Sequence, residues 1–310
     1  MQKRTLISFD WALKKLLRQK ANYGILEGFL SELLRFDVTI ENILDGERNK
    51  DDQDLKINRV DILAQDSDKR LYIIELQYSH ELEYFHRMLF ATSKSTVEYL
   101  PEGFDYSKVR KVYSVNLLYF QLGQGSDYVY YGTTRFVGMH QGDELKLSPL
   151  QKEKFFVKEV HHIFPEYYVI KINNFNDVAK DKLDEWIYFF KNTVLPEKYS
   201  AQGLQLMEKA LNVNNLPEPD RRAYEAHQKS MESDRNVINT AKLEGRAEGR
   251  EEGREEGREE GLAEGRAEGE LIGIEKGAQL GVEKVAIQMF KDGLPLETII
   301  KYTGLSVGLY

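Results

Sequence analysis

Cysteine is absent from the 310 residues. That excludes a disulfide framework and any thiolate zinc site. No apolar run approaches the roughly 20 residues that a membrane-spanning helix needs, so no membrane partner is expected. The opening MQKRTLISFDWALKKLL lacks the apolar core and cleavage site of a secretory leader, which makes the cytoplasm the expected compartment. An excess of positive charge is missing too. The formal net charge is -8, which argues against a wholly basic nucleic-acid binder but leaves room for an enzyme with an acidic site.

What is present suffices for a real core: 41% hydrophobic and 11% aromatic residues. Charged residues reach 30%, above the usual quarter, and the surplus sits late in the chain. Leu13, Leu16 and Leu17, then Ile25, Leu26, Phe29, Leu30, Leu33 and Leu34, recur at helical spacing, with Ser8 and Asn22 as starts. Val38 to Ile43 reads as a strand, and so do Asn58 to Gln65 and Leu71 to Gln77, joined by a turn at Asp66–Lys69. A helical pattern from Ser79 to about Tyr99 precedes Val109 to Phe120, a strand apolar on both faces. Further strands are expected at Tyr128 to Val137 and Tyr167 to Ile172, and helices at Lys182 to Lys191 and Ala201 to Leu211. Antiparallel neighbours followed by a crossover helix describe an α/β unit with a mixed sheet.

Pro217 and Pro219 mark a boundary, so residues after Leu216 are expected to be dispensable for the core. Three segments follow from this: 1–215, a charged helical arm over 216–282, and a short helical hairpin over 283–310. From Gly245 to Gly281 a glycine occupies every fourth position, separated mostly by Glu, Arg and Ala. Each glycine costs a helix about 1 kcal/mol relative to alanine. A period of four advances the stripe by about 40° per repeat, so no heptad seam forms. A long, marginal charged helix is expected, either a spacer or a helix that orders on self-association. The hairpin is similar to the first two helices of a helix-turn-helix, but the sequence ends four residues after Ser306, where a reading helix would start.

The densest chemical signal is RVDILAQDSDKRLYIIELQ, Arg59 to Gln77. Alternation puts Ile73, Glu75 and Gln77 on one face, and Arg59, Asp61 and Leu63 on one face of the preceding strand. With the hairpin centred on Asp68, Asp61 faces Glu75, and opposed Cβ atoms lie about 4.5–5.5 Å apart. Like charges at that range persist if a cation or proton sits between them. Carboxylates with carbonyl and water ligands suit magnesium, with manganese as an alternative. Gln77 is placed to orient water or a phosphate oxygen, and Lys56 upstream is a candidate for charge stabilisation. The competing use of Asp61 is an ion pair with Arg59 or Arg70.

These residues resemble a known family. FDWALKKLL, ILEGFLSELL, KINRVDILAQ, LYIIELQ, RMLF, KVYSVNLLYF and WIYFFKN are similar to recombination-promoting nucleases of the Rpn type, also labelled transposases, within the PD-(D/E)XK nuclease superfamily. The resemblance covers most of residues 1–210. It implies a restriction-endonuclease-like mixed sheet flanked by helices, followed here by the charged glycine-repeat helix. It implies a magnesium-dependent deoxyribonuclease that cuts DNA internally and promotes recombination. Asp61, Glu75 and Gln77 occupy the family's metal-site positions, and Asp10, Glu27 and Arg87 its accessory ones. Two departures are visible: Arg59–Val60 where the superfamily has a proline, and Gln77 where it has a lysine. The alternative is therefore an inactive nuclease fold that binds nucleic acid or protein.

Other features carry less. His161–His162 and His80/His86 lack a His/Cys cluster at ligand spacing and are read as ordinary side chains. Tyr99, Tyr113 and Tyr119 are read as core aromatics in preference to base-stacking platforms. Lys108, Arg110 and Lys111 form a small basic patch, available to phosphates or merely to solvent.

Overall fold

The structure, a computed structural model, describes residues 6–44, 60–100, 103 and 105–305. They belong to two units divided after Gln228. In the first, α1 (Phe9–Lys15) and α2 (Tyr23–Leu34) precede β1 (Ile40–Ile43), β2 (Ile62–Asp66) and β3 (Leu71–Gln77). Then come α3 (Tyr84–Glu98), β4 (Val112–Leu118), β5 (Val129–Gly132), α4 (Pro149–Phe155), β6 (Glu166–Lys171), α5 (Lys182–Asn192) and α6 (Leu204–Ala210). The strands form one mixed sheet in the order β1-β2-β3-β4-β6-β5. β1, β2 and β3 are antiparallel neighbours, β3, β4 and β6 run parallel, and β5 returns antiparallel on β6. This is the expected α/β architecture.

The tight turn after β2 sets the register. Asp66 closes it: Oδ1 accepts from Arg70 N–H at 2.9 Å, and Oδ2 accepts from Arg70 Nε at 2.6 Å and the Tyr72 hydroxyl at 2.7 Å. Lys69 takes the left-handed conformation that so short a turn demands. Pairing runs Gln65↔Leu71 to Ile62↔Ile74, which centres the hairpin on Asp68. Asp66 therefore ends a strand instead of opening the turn.

The two faces of the sheet have different cover. Ala64, Tyr72, Ile74, Leu76, Val115 and Leu117 meet α1, α2, α5 and α6 around Phe9, Phe29, Trp186, Phe189 and Phe190. The opposite face, with Leu63, Leu71, Ile73, Val112 and Val169, lies under α3 through Tyr84, Met88 and Ala91. Every residue of β4 is buried, as its continuous apolar run implies.

Several expectations are corrected. The strand expected over Tyr128 to Val137 is only Val129–Gly132, because its pairing with β6 ends at Gly132↔Tyr167. The crossover helix starts at Tyr84, five residues later than its pattern suggests. α4 is an additional helix, marked by a capping box of Ser148 and Gln151. The polar stretch Asp45 to Gln53, which the sequence suggests is a loop, and the first residues of the strand expected from Asn58 lie outside the described residues.

α2 touches the 201–203 loop so closely that a Cβ on Gly28 would sit inside the Gln202 carbonyl. Gly28→Ala is therefore expected to cost about 3 kcal/mol, the upper end of ordinary overpacking. Denaturant unfolding measures it, and a variant as stable as the wild type would contradict this contact.

α7 (Glu218–Lys291) begins inside the first unit. Tyr224 is 3% exposed, stacks edge-on against Trp11 with centroids 5.5 Å apart, and accepts from Ser8 N–H at 3.1 Å. His227 Nε2 lies 2.6 Å from Asp10 Oδ2. The compact unit thus runs past the boundary expected at 215, because an aromatic beyond Pro219 packs back on α1. We expect a chain ending at Leu216 to lose about 3–5 kcal/mol, the usual cost of deleting a large buried aromatic. A chain ending at Lys229 should melt near the full-length protein, and equal melting of both truncations would refute this.

In the second unit, α7 continues unbroken to Lys291, past the boundary expected at 282/283. A Cβ at any glycine from Gly245 to Gly281 would have nothing within 4 Å. Arg258 and Glu255 pair at 2.8 Å across an i,i+3 spacing. Gly293 turns the chain with positive φ into α8 (Leu296–Thr303), where Ile299 is buried. Residues after Leu305 are outside the described set. No helix of the described residues is long and apolar enough to cross a membrane.

Candidate active site

Glu75 lies late in β3, on the α3 face, two residues beyond Ile73. Asp61 immediately precedes β2, two residues before Leu63 on the same face, and the ladder's register puts it opposite Glu75. The Asp61 carboxylate accepts from Leu76 N–H through Oδ2 at 2.9 Å, and Arg18 donates to the Asp61 carbonyl at 2.7 Å. The segment entering β2 is thereby fixed at both its backbone and its side chain. Arg70, one candidate partner for Asp61, is bound to Asp66 instead, and the other, Arg59, lies outside the described residues.

Glu75 is 5% exposed. Burial and the nearby Asp61 charge push its carboxyl up to about 8, against opposing contributions from Arg87 and the Asp61 amide. Arg87, one turn into α3, reaches Glu75 Oε2 at 3.4 Å and Glu81 at 3.1 Å. Its guanidinium therefore orients Glu75 without neutralising the crowding of the two acids.

Two neighbours escape a reading of the sequence alone. Asn116 stands beside Glu75 in the parallel register of β4 and is buried. Its Nδ2 donates to Ser114 Oγ at 3.0 Å and the Tyr168 carbonyl at 3.2 Å, while its Oδ1 accepts from the Tyr84 hydroxyl at 3.0 Å. Burial and the Glu75 charge raise the Tyr84 phenol, so it stays a donor. The available signal is an amide inside the apolar run VYSVNLL.

The remaining site residues disperse. Gln77 ends β3 one pleat beyond Glu75, half-buried, with its carbonyl accepting from Tyr119 N–H at 2.9 Å. Asp10 is buried against His227. Glu27 accepts from Ile40 N–H at 2.7 Å, tying α2 to β1. Lys56 lies outside the described residues. Of the basic patch, Lys111 is turned inward, with its ammonium 2.7 Å from buried Glu166. Tyr113 stacks on Tyr72, and Tyr119 on Tyr78.

Asp61, Glu75 and Arg87 thus converge at the end of the antiparallel hairpin, where α3 begins to cross the sheet. Neither a curated protein nor a solved structure gives a significant match to the chain. The profile of the PD-(D/E)XK nuclease family transposases matches residues 7–241, about three quarters of the sequence and all of the sheet. With its mixed sheet, its crossover helix and that match, the chain belongs to the PD-(D/E)XK nuclease family transposases.

Proposed function

We propose that this chain is a divalent-metal-dependent DNA endonuclease that hydrolyses phosphodiester bonds and so promotes recombination. One observation carries the reading. The buried Glu75 carboxyl stands opposite Asp61 in the register of the hairpin and is pushed up to about 8, by burial first and by the Asp61 charge second. Such a pair fits a hard cation, because a positive ion between the oxygen donors relieves the crowding that burial imposes. Asp61 and Glu75 would hold magnesium, or manganese in its place.

A bound divalent cation supplies the charge that polarises a scissile phosphate and acidifies a water. The chain's own groups do the rest. Arg87 holds one Glu75 oxygen in place. Asp61 keeps its carboxylate angle through Leu76 N–H. Gln77, at the open end of β3, orients water or a phosphate oxygen, and Lys56 stabilises charge. Asp10 and Glu27 act by position: Asp10 through His227, Glu27 by anchoring β1. The 245–281 repeat, whose glycines meet no packing partner among the described residues of its unit, serves as an arm for self-association.

The glutamine at position 77, where the superfamily has a lysine, favours one second reading: an inactive fold that retains DNA or protein binding. Nicking of supercoiled plasmid separates the two. Cleavage with magnesium or manganese that stops with chelator supports the nuclease, and intact plasmid under both metals leaves the binding reading.

A further inference from the structure

We propose that His161, His162 and Glu166 form a second metal site, of the kind that takes zinc, separate from the Asp61–Glu75 pair. One ligand atom from each of the three lies within 4.8 Å of the others. The tight turn Val160–His162 makes this possible. Consecutive residues of a strand point to opposite faces, whereas here the two imidazole centroids are 4.2 Å apart with planes at 56°. Glu166, the first residue of β6, is buried beside them, and both histidines are half-buried and open to an incoming ion.

The donor set decides the metal. Two imidazole nitrogens and one carboxylate suit zinc, while magnesium prefers all-oxygen ligands. Tetrahedral zinc with bonds of about 2.0–2.2 Å spaces its donors about 3.4 Å apart. The cluster must therefore contract by about an ångström or a little more, within reach of side-chain rotation. A fourth position is left for water.

Lys111 is the competing cation. It donates to Glu166 Oε1 at 2.7 Å, and also to the carbonyls of His161 at 3.0 Å and Phe164 at 2.6 Å. It thus fixes the turn that carries the histidines and orients the carboxylate, the task of an outer-shell partner. The other oxygen, Oε2, accepts from the Tyr168 hydroxyl over a long 3.3 Å, and this is the one an ion would take. The lysine's charge lowers the affinity below that of a site without it.

The site is distinct from the carboxylate pair. Glu166 pairs with Tyr113 on β4, and Glu75 with Asn116, three residues further along that strand. At about 3.3 Å per residue the two lie about 10 Å apart along β4 and on strands that flank it from opposite sides. A search for cysteine and histidine partners alone misses the histidine pair, because its third donor is a glutamate four residues on.

The test is zinc titration of the full-length protein by calorimetry, with Co2+ absorption as a second readout. The expected result is one zinc per chain in the Asp61→Asn/Glu75→Gln double variant, and a site of the same affinity in the wild type beside any zinc taken by the carboxylate pair. His162→Ala should weaken it at least 100-fold, beyond the range for losing an outer-shell contact. Should His162→Ala not fold by circular dichroism, His161→Gln gives the same reading. Co2+ in the wild type should show visible bands of a four- or five-coordinate nitrogen–oxygen site. Absence of zinc binding, binding unchanged in both histidine variants, or binding lost in the carboxylate double variant would each overturn the proposal.

Discussion

Plasmid cleavage in magnesium is expected to fall by a factor of about 10³ or more in Asp61→Asn and in Glu75→Gln. A cation that polarises phosphate contributes several kcal/mol to the transition state, and each 1.36 kcal/mol is tenfold in rate. These variants are better probes than alanine. Asp61 accepts from Leu76 N–H, so alanine would strand a backbone donor and confound activity with folding, whereas asparagine keeps the acceptor. Glutamine likewise keeps a neutral partner for Arg87 at the position of Glu75. Both variants should melt cooperatively. Variants that cut at the wild-type rate would remove the nuclease assignment from these two residues.

The second large effect is on stability and needs no substrate. In the metal-free folded chain Glu75 ionises near pH 8, against an ordinary value of 4.5. Between these values the folded state holds a proton that the unfolded chain has lost. The contribution is thus complete below about pH 4.5, declines as pH rises, and is gone above about pH 8. Every tenfold difference in proton affinity between the two states is worth about 1.36 kcal/mol, so the whole decline is on the order of a few kcal/mol. Metal-free wild type should therefore lose melting temperature relative to Glu75→Gln from pH 5 to pH 8.5. Saturating magnesium at the upper end should restore the wild type and leave the variant unmoved, since a ligand stabilises only the state that binds it. Parallel melting curves of the two proteins across this range would contradict the crowding of the acids.

The hairpin that carries the site is legible in the sequence because its information is local. Alternation assigns faces, and a turn centred on Asp68 assigns the partner, so Asp61 and Glu75 fall opposite each other without any coordinates. The crossover to a buried parallel strand is legible too, since the β-branched, mostly apolar run VYSVNLLYF suits a strand covered on both faces. What is not legible depends on contacts across the chain. Asn116 becomes part of the site only through the parallel register of β3 and β4. Tyr224 joins the core only because α7 returns to α1, 213 residues away from Trp11 in sequence. Lys111 has the look of a surface cation until β6 brings Glu166 beside it. The resemblance makes Asp10 and Glu27 accessory positions, and their bonded partners, His227 and Ile40, come from distant parts of the chain that the sequence does not bring together by itself.

Everything proposed for the active site depends on Asp61 and Glu75 together holding one divalent cation. Calorimetric titration of magnesium, with manganese in parallel, into the wild type and Asp61→Asn at pH 8 tests it most directly. One ion per chain is expected at this pair in the wild type, tighter at pH 8 than at pH 6, and that binding should be lost in the variant. Equal affinity in the two proteins, or no binding in either, would contradict it.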